Sequence, residues 1–133
     1  MILLTIKGNP PSKSNCYRAG AMKGAKPRPY IYKAKGLKDY EKAFALQVPD
    51  NCKIVAAYEM RVTIICYFDS RRPDLDNAAK SILDCLQLSE VIKDDRSVME
   101  LVMYKKLSKE NPRVEISIKK IKKPTDETKK RKA

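Results

Sequence analysis

The sequence contains no histidine and no tryptophan. Without histidine this chain has no Ser-His-Asp triad, no Cys-His nucleophile pair and no imidazole metal ligand. Its four cysteines, Cys16, Cys52, Cys66 and Cys85, are scattered with no C-x-x-C pair, which argues against a zinc ribbon. Long hydrophobic runs are missing too. Nothing approaches the ~20 apolar residues needed to cross a bilayer. The apolar opening from Ile2 to Ile6 is too short for a signal-peptide core and runs straight into Gly8-Asn9-Pro10-Pro11. The expectation is a cytoplasmic protein that does not engage a membrane, with reduced cysteines placed mostly in its core.

What is present is positive charge. The 133 residues hold 29 Lys and Arg against 16 Asp and Glu, a formal charge of +13. Such a balance points to a polyanionic partner, most often nucleic acid. With 43% apolar residues the chain can bury one modest core, so one domain, with or without a tail, is expected.

Met1 to Lys7 reads as an opening strand. Residues 8–29 have no apolar period and hold four prolines, three glycines and five basic residues; they read as a long, flexible basic loop. Lys33 to Val48 reads as a helix, with Leu37, Tyr40, Phe44 and Val48 sharing a face. Tyr58 to Phe68 alternates strictly, a strong strand signal. Leu75 to Leu88 returns to helical spacing through Leu75, Ala79, Ile82, Leu83 and Leu86. Val91-Ile92 is a short extended piece. Val98 to Leu107 and Arg113 to Ile121 read as two strands joined by a turn at Lys109 to Pro112. From Lys119 to Ala133 there are eight Lys or Arg, two acids and a single large apolar residue. That composition cannot repay ordering by burial, so 121–133 is a basic tail, either solubilising or seeking phosphate.

The acids are not spread evenly. Residues 69–95 contain seven of them, Asp69, Asp74, Asp76, Asp84, Glu90, Asp94 and Asp95, against four basic residues. A protein that only coats a polyanion gains nothing from that concentration. The repulsion disappears if carboxylates and phosphate ligate one divalent cation, and Mg²⁺ takes a few carboxylate oxygens while keeping several waters. Asp74 and Asp76 lie between a strand and a helix, where two residues of an extended segment point to one side. Asp94-Asp95 lies at a second break; if the two strand ends are neighbours in one sheet, a third carboxylate reaches the same edge. Lys80 follows Asp76 by one helical turn. The plain alternatives are that Asp74 or Asp76 caps a helix, that Asp94-Asp95 are turn residues, and that Lys80 and Asp84 form an exposed i,i+4 pair.

The string Asp74-Leu75-Asp76-Asn77-x-x-Lys80-x-x-x-Asp84-x-Leu86, followed by Ile92-x-Asp94-Asp95, resembles the RusA family of Holliday-junction resolvases. Pro10-Pro11-Ser12 with Tyr17-Arg18 is similar to that family's N-terminal loop, and the resemblance covers roughly residues 1–120. It implies a small α+β subunit with a mixed sheet of about four or five strands and two main helices. It further implies a homodimer, of bacterial or prophage origin, that binds four-way DNA junctions and nicks two strands with one or two Mg²⁺ per active site and no small-molecule cofactor. The family's essential carboxylates fall on Asp74, Asp76 and Asp95, its essential lysine on Lys80, and an accompanying acid on Asp94. Asp84 matches the aspartate usual on that helix, in support of Lys80. Lys13, Tyr17, Arg18, Lys23, Lys26, Arg28, Arg71 and Arg72 are the expected DNA contacts; those to phosphate position duplex arms and read little sequence. With no histidine as general base, activation of water falls to the metal or to solvent. The competing reading is a non-enzymatic basic nucleic-acid-binding protein, ribosome- or nucleoid-associated, which composition alone favours and the acidic island opposes.

Overall fold

A computed structural model describes residues 1–12, 17–21, 29–33 and 35–122, with the backbone alone for 17–21 and 29–33. The chain forms β1 (Ile2–Lys7), β2 (Tyr17–Ala21), β3 (Pro29–Lys33), α1 (Lys35–Gln47), β4 (Met60–Phe68), α2 (Leu75–Leu88), β5 (Val98–Leu107) and β6 (Arg113–Lys120). Single 3-10 turns sit at Asp50–Cys52 and Asp95–Ser97. The result is an α+β fold, a four-stranded mixed sheet with two helices.

The sheet runs β1-β6-β4-β5, antiparallel except for the parallel pair β4 and β5. Alternation decides which face is covered. Ile2, Leu4 and Ile6 of β1, Met60, Val62, Ile64, Cys66 and Phe68 of β4, and Val114, Ile116 and Ile118 of β6 all point one way and are buried. Helix α1 adds Leu37 and Phe44, and α2 adds Ala78, Ile82, Cys85 and Leu86, spaced so that one face of each helix meets the sheet. Gln47 fastens the end of β1 to α1: its side-chain oxygen accepts from Lys7 N at 2.7 Å and its Nε2 donates to Lys7 O at 3.0 Å.

One expectation changes, and one expected pair of strands is placed. The stretch 8–29 is not one uninterrupted loop, because β2 and β3 pair as an antiparallel hairpin; the β-prone Tyr30-Ile31-Tyr32 was masked by surrounding Pro, Gly and Lys. Strands β5 and β6 follow one another through a turn as expected, and in the sheet they are not neighbours. Strand β4 lies between them, so the turn after β5 carries the chain over the end of β4, where Ser108 N donates to Phe68 O at 2.8 Å. Parallel β4 and β5 need a crossover, and α2 supplies it.

Cys66 and Cys85 are buried and Cys52 is half-buried, and all three are free thiols; Cys16 lies outside the described residues. Burial pushes the Cys66 thiol up to about 12, which removes the thiolate needed for reactivity.

The face assignment predicts contrasting costs. Ile64→Ala should lose about 2–5 kcal/mol by opening a cavity, whereas Leu3→Ala, at a residue 68% exposed on the other face, should stay within about 0.5 kcal/mol. Urea unfolding of both variants checks this; similar losses would contradict the assignment.

Candidate active site

The junction between β4 and α2 is where the sequence motif begins. Asp74 occupies the N-cap position with extended backbone (φ −87°, ψ 139°), yet its carboxylate accepts no hydrogen bond from the helix. A capping aspartate takes an N–H of the first turn; this one leaves its oxygens available. Asp76 sits in the first turn of α2 and is exposed, where the helix dipole favours a negative charge. Lys80 is exposed one turn later, and Asp84 is half-buried after another. Among the described residues no ion pair joins Lys80 to Asp76 or Asp84, so the simple pair reading fails.

The loop presenting Asp74 is held at both ends. Asp69 N donates to Asn9 Oδ1 at 3.1 Å, tying it to the segment after β1. Lys105 of β5 donates from Nζ to Arg71 O at 2.8 Å and also to Pro73 O, while standing 5.9 Å from the centre of the Phe68 ring. Sequence reasoning missed Lys105 and Asn9. Nothing in the local pattern marks them, because each acts across long sequence separation. Beside the loop lies an open cleft of about 340 Å³ lined by Ser70, Arg71, Lys105, Lys106 and Leu107. Of the expected DNA contacts, Arg71 and Arg72 are exposed on this loop. Tyr17 and Arg18 open β2 with side chains outside the description, and Lys13, Lys23, Lys26 and Arg28 lie outside the described residues, as does 123–133.

The second acidic break is built differently. After α2, Ala56 N donates to Val91 O at 3.0 Å and Lys93 N to Ala56 O at 2.8 Å, anchoring the return of the chain. Asp94 caps the next turn: Oδ1 accepts from Arg96 N and Oδ2 from Arg96 Nε, each at 2.8 Å. Those hydrogen bonds hold the Asp94 carboxyl below the usual carboxylate range. For Asp94 the turn-residue reading describes what is seen. Asp95 N donates to Gln87 Oε1 at 3.0 Å, which fixes this turn to the last turn of α2.

That contact separates the carboxylates within one chain. Asp76 and Gln87 stand at opposite ends of α2, about 16 Å apart along its axis. The sheet gives the same result: Phe68 pairs with Leu107 and Met60 with Val98, so Asp74 follows one end of the parallel pair and Asp95 precedes the other. The strand ends are neighbours, but the parallel sense puts the third carboxylate at the opposite edge from the first two. Among the described residues no three Asp, Glu or Cys side chains gather as a metal-holding group. Asp74 and Asp76 by themselves offer the one or two carboxylates that Mg²⁺ accepts alongside substrate phosphate.

The family model described as Endodeoxyribonuclease RusA matches residues 8–119 of the 133. The chain belongs to the RusA family. As a RusA endodeoxyribonuclease it is an enzyme that hydrolyses DNA, of the Holliday-junction resolvase kind. The match spans both acidic breaks and Lys80 and stops short of the basic tail. No curated protein matches the sequence. Among the described residues no helix is long and apolar enough to cross a membrane.

If Lys105 fastens the loop, Lys105→Met should raise hydrogen exchange at the Asp69 amide, which is bonded to Asn9, by about tenfold, the equivalent of one charge-assisted hydrogen bond. Exchange in β4 and β6 should not change. Equal protection in both proteins would make Lys105 a surface charge only.

Proposed function

We propose that this protein resolves four-way DNA junctions by paired, symmetric, Mg²⁺-dependent nicking in recombination and repair, acting as a homodimer whose metal sites each draw on two copies. Asp74 and Asp76 of one copy and Asp95 of the other hold the metal, and Asp94 braces the turn that presents Asp95. The observation that carries this reading is the length of α2. It keeps the two carboxylate sets of a single chain too far apart to share an ion, so the third ligand has to come from elsewhere.

Strand β5 suggests how. It is a ten-residue edge strand, with Met99, Leu101, Tyr104 and Leu107 each more than 40% exposed. An unpaired edge of that length is a template for another strand. Antiparallel pairing of two β5 strands about a two-fold axis sets the start of one beside the end of the other. The partner's turn then approaches the end where Lys105 pins the Asp74 loop. Both sites form together, as two matched cuts require.

When bound, Mg²⁺ would supply Lewis acidity and a nucleophilic water at the scissile phosphate. The chain's own groups do the rest. Lys80, on the exposed side of α2 beside Asp76, offsets charge developing on the phosphate or on the departing 3′ oxygen. Arg71 and Arg72 hold the strand from the loop itself, and the absence of histidine leaves no imidazole to move the proton.

Incubation with a synthetic four-way junction, with and without Mg²⁺, tests this. Wild type should give paired, ligatable nicks only with metal. Asp76→Asn should lower nicking by at least about a hundredfold while junction binding persists or tightens, because one charge repelling phosphate is gone. Lys80→Ala should reduce cleavage far more than binding. Wild-type nicking by Asp76→Asn would remove it from the metal site, and binding without nicks by wild type would favour an inert nucleic-acid binder.

A further inference from the structure

The face of the sheet turned away from the helices is uncovered among the described residues. Leu3 is 68% and Tyr104 51% exposed there. Across its end nearest the Asp74 loop runs one cross-strand row: Lys7 on β1 opposite Arg113 on β6, Arg113 opposite Tyr67 on β4, and Tyr67 opposite Lys106 on β5. At about 4.8 Å between strands the row is about 14 Å long. The Arg113 guanidinium lies 3.7 Å and the Lys106 ammonium 5.8 Å from the centre of the Tyr67 ring.

Like charges directly opposite on neighbouring strands weaken a sheet. This row places Lys7 against Arg113, and Glu115, two residues along β6, accepts from Arg113 Nε at 2.9 Å and from the Tyr67 hydroxyl at 3.4 Å. The far end of the same face also sets like charges opposite each other, Arg61 on β4 against Lys119 on β6, with Arg61 bonded to Glu100 at 2.7 Å. The row beside the Asp74 loop differs in carrying a third cation and in Tyr67, the ring that two of its cations face. Lys106 closes the row and also lines the cleft that holds Arg71.

We propose that Lys7, Arg113, Tyr67 and Lys106 form a track for consecutive DNA phosphates, leading along the rim of the sheet to Arg71 and the scissile position. Tyr67 serves as the ring on which two of the cations rest, so that they are held in place before DNA arrives. The proposal deepens the DNA-cutting reading above, yet it concerns binding and can fail or stand apart from cleavage.

The test is junction affinity across a range of salt, without divalent metal so that nicking does not enter. Lys7→Gln/Lys106→Gln removes two exposed charges from the track. Lys38→Gln/Lys42→Gln removes two from exposed positions of α1, on the helix side. Each phosphate contact contributes about 0.9 to the slope of log affinity against log salt. In a dimer that lays both tracks on the junction the variant removes four contacts, so it should lose about three to four from that slope and bind at least about tenfold more weakly near 0.1 M salt, and the α1 variant should match wild type. Equal changes in both variants would reduce the row to net charge. Dissociation of a dimer by the track variant, seen by sedimentation, would make the face a subunit contact; either result overturns the proposal.

Discussion

Everything at the candidate site follows from how a parallel strand pair is connected. Because β4 and β5 run the same way, the chain leaving β4 must travel back before it can enter β5, and α2 is that return path. Residues at the start of the path and residues at its end are therefore held apart by a rigid rod of 14 residues. Asp74 and Asp76 stand at one end of the rod, and Asp95, hydrogen-bonded through its backbone to Gln87, stands at the other. Sharing a cation between the two sets requires two chains. On this account the dimer is a condition of the chemistry as well as a way of making two cuts.

Much of this was readable from the residues. Alternation from Met60 to Phe68 fixed β4 and its buried face, because side chains of a strand point alternately to the two sides. Apolar spacing gave α2 its bounds, although the buried stripe runs through Ala78 and Cys85 instead of Ala79. The D-L-D-N-x-x-K string pointed to the family that the match over residues 8–119 establishes. What stayed hidden was non-local. No pattern announces that β6 inserts between β1 and β4, or that β5 joins β4 in the parallel sense. The same holds for Lys105: its partners are two backbone carbonyls more than thirty residues earlier, and carbonyls carry no sequence signal. The β2–β3 hairpin escaped because its β-prone residues are few and sit among turn formers.

Charge and structure divide the labour in a consistent way. The acidic island exposes Asp74 and Asp76 at a helix start without a capping partner, whereas Asp94 is consumed by Arg96. Basic residues surround this opening on the loop, on β5 and on the rim of the uncovered face. A protein that merely coats nucleic acid has no use for two carboxylates set among cations and, among the described residues, without a cap or ion-pair partner. A hydrolase of the proposed kind does, since there the carboxylates would hold an ion that reverses their repulsion.

The central claim is that each site is assembled from two copies, and mixing two inactive proteins tests it most directly. Asp74→Asn and Asp95→Asn variants, each unable to nick alone, would be co-refolded and assayed on a four-way junction with Mg²⁺. A mixed dimer joins one wild-type Asp74 and Asp76 pair to one wild-type Asp95, so the account predicts restored nicking of one strand in about half of the dimers, with paired cuts absent. If each site lay within a single chain, both sites of every mixed dimer would be damaged. Failure of the mixture to nick, with mixed dimers demonstrably formed, would contradict the account.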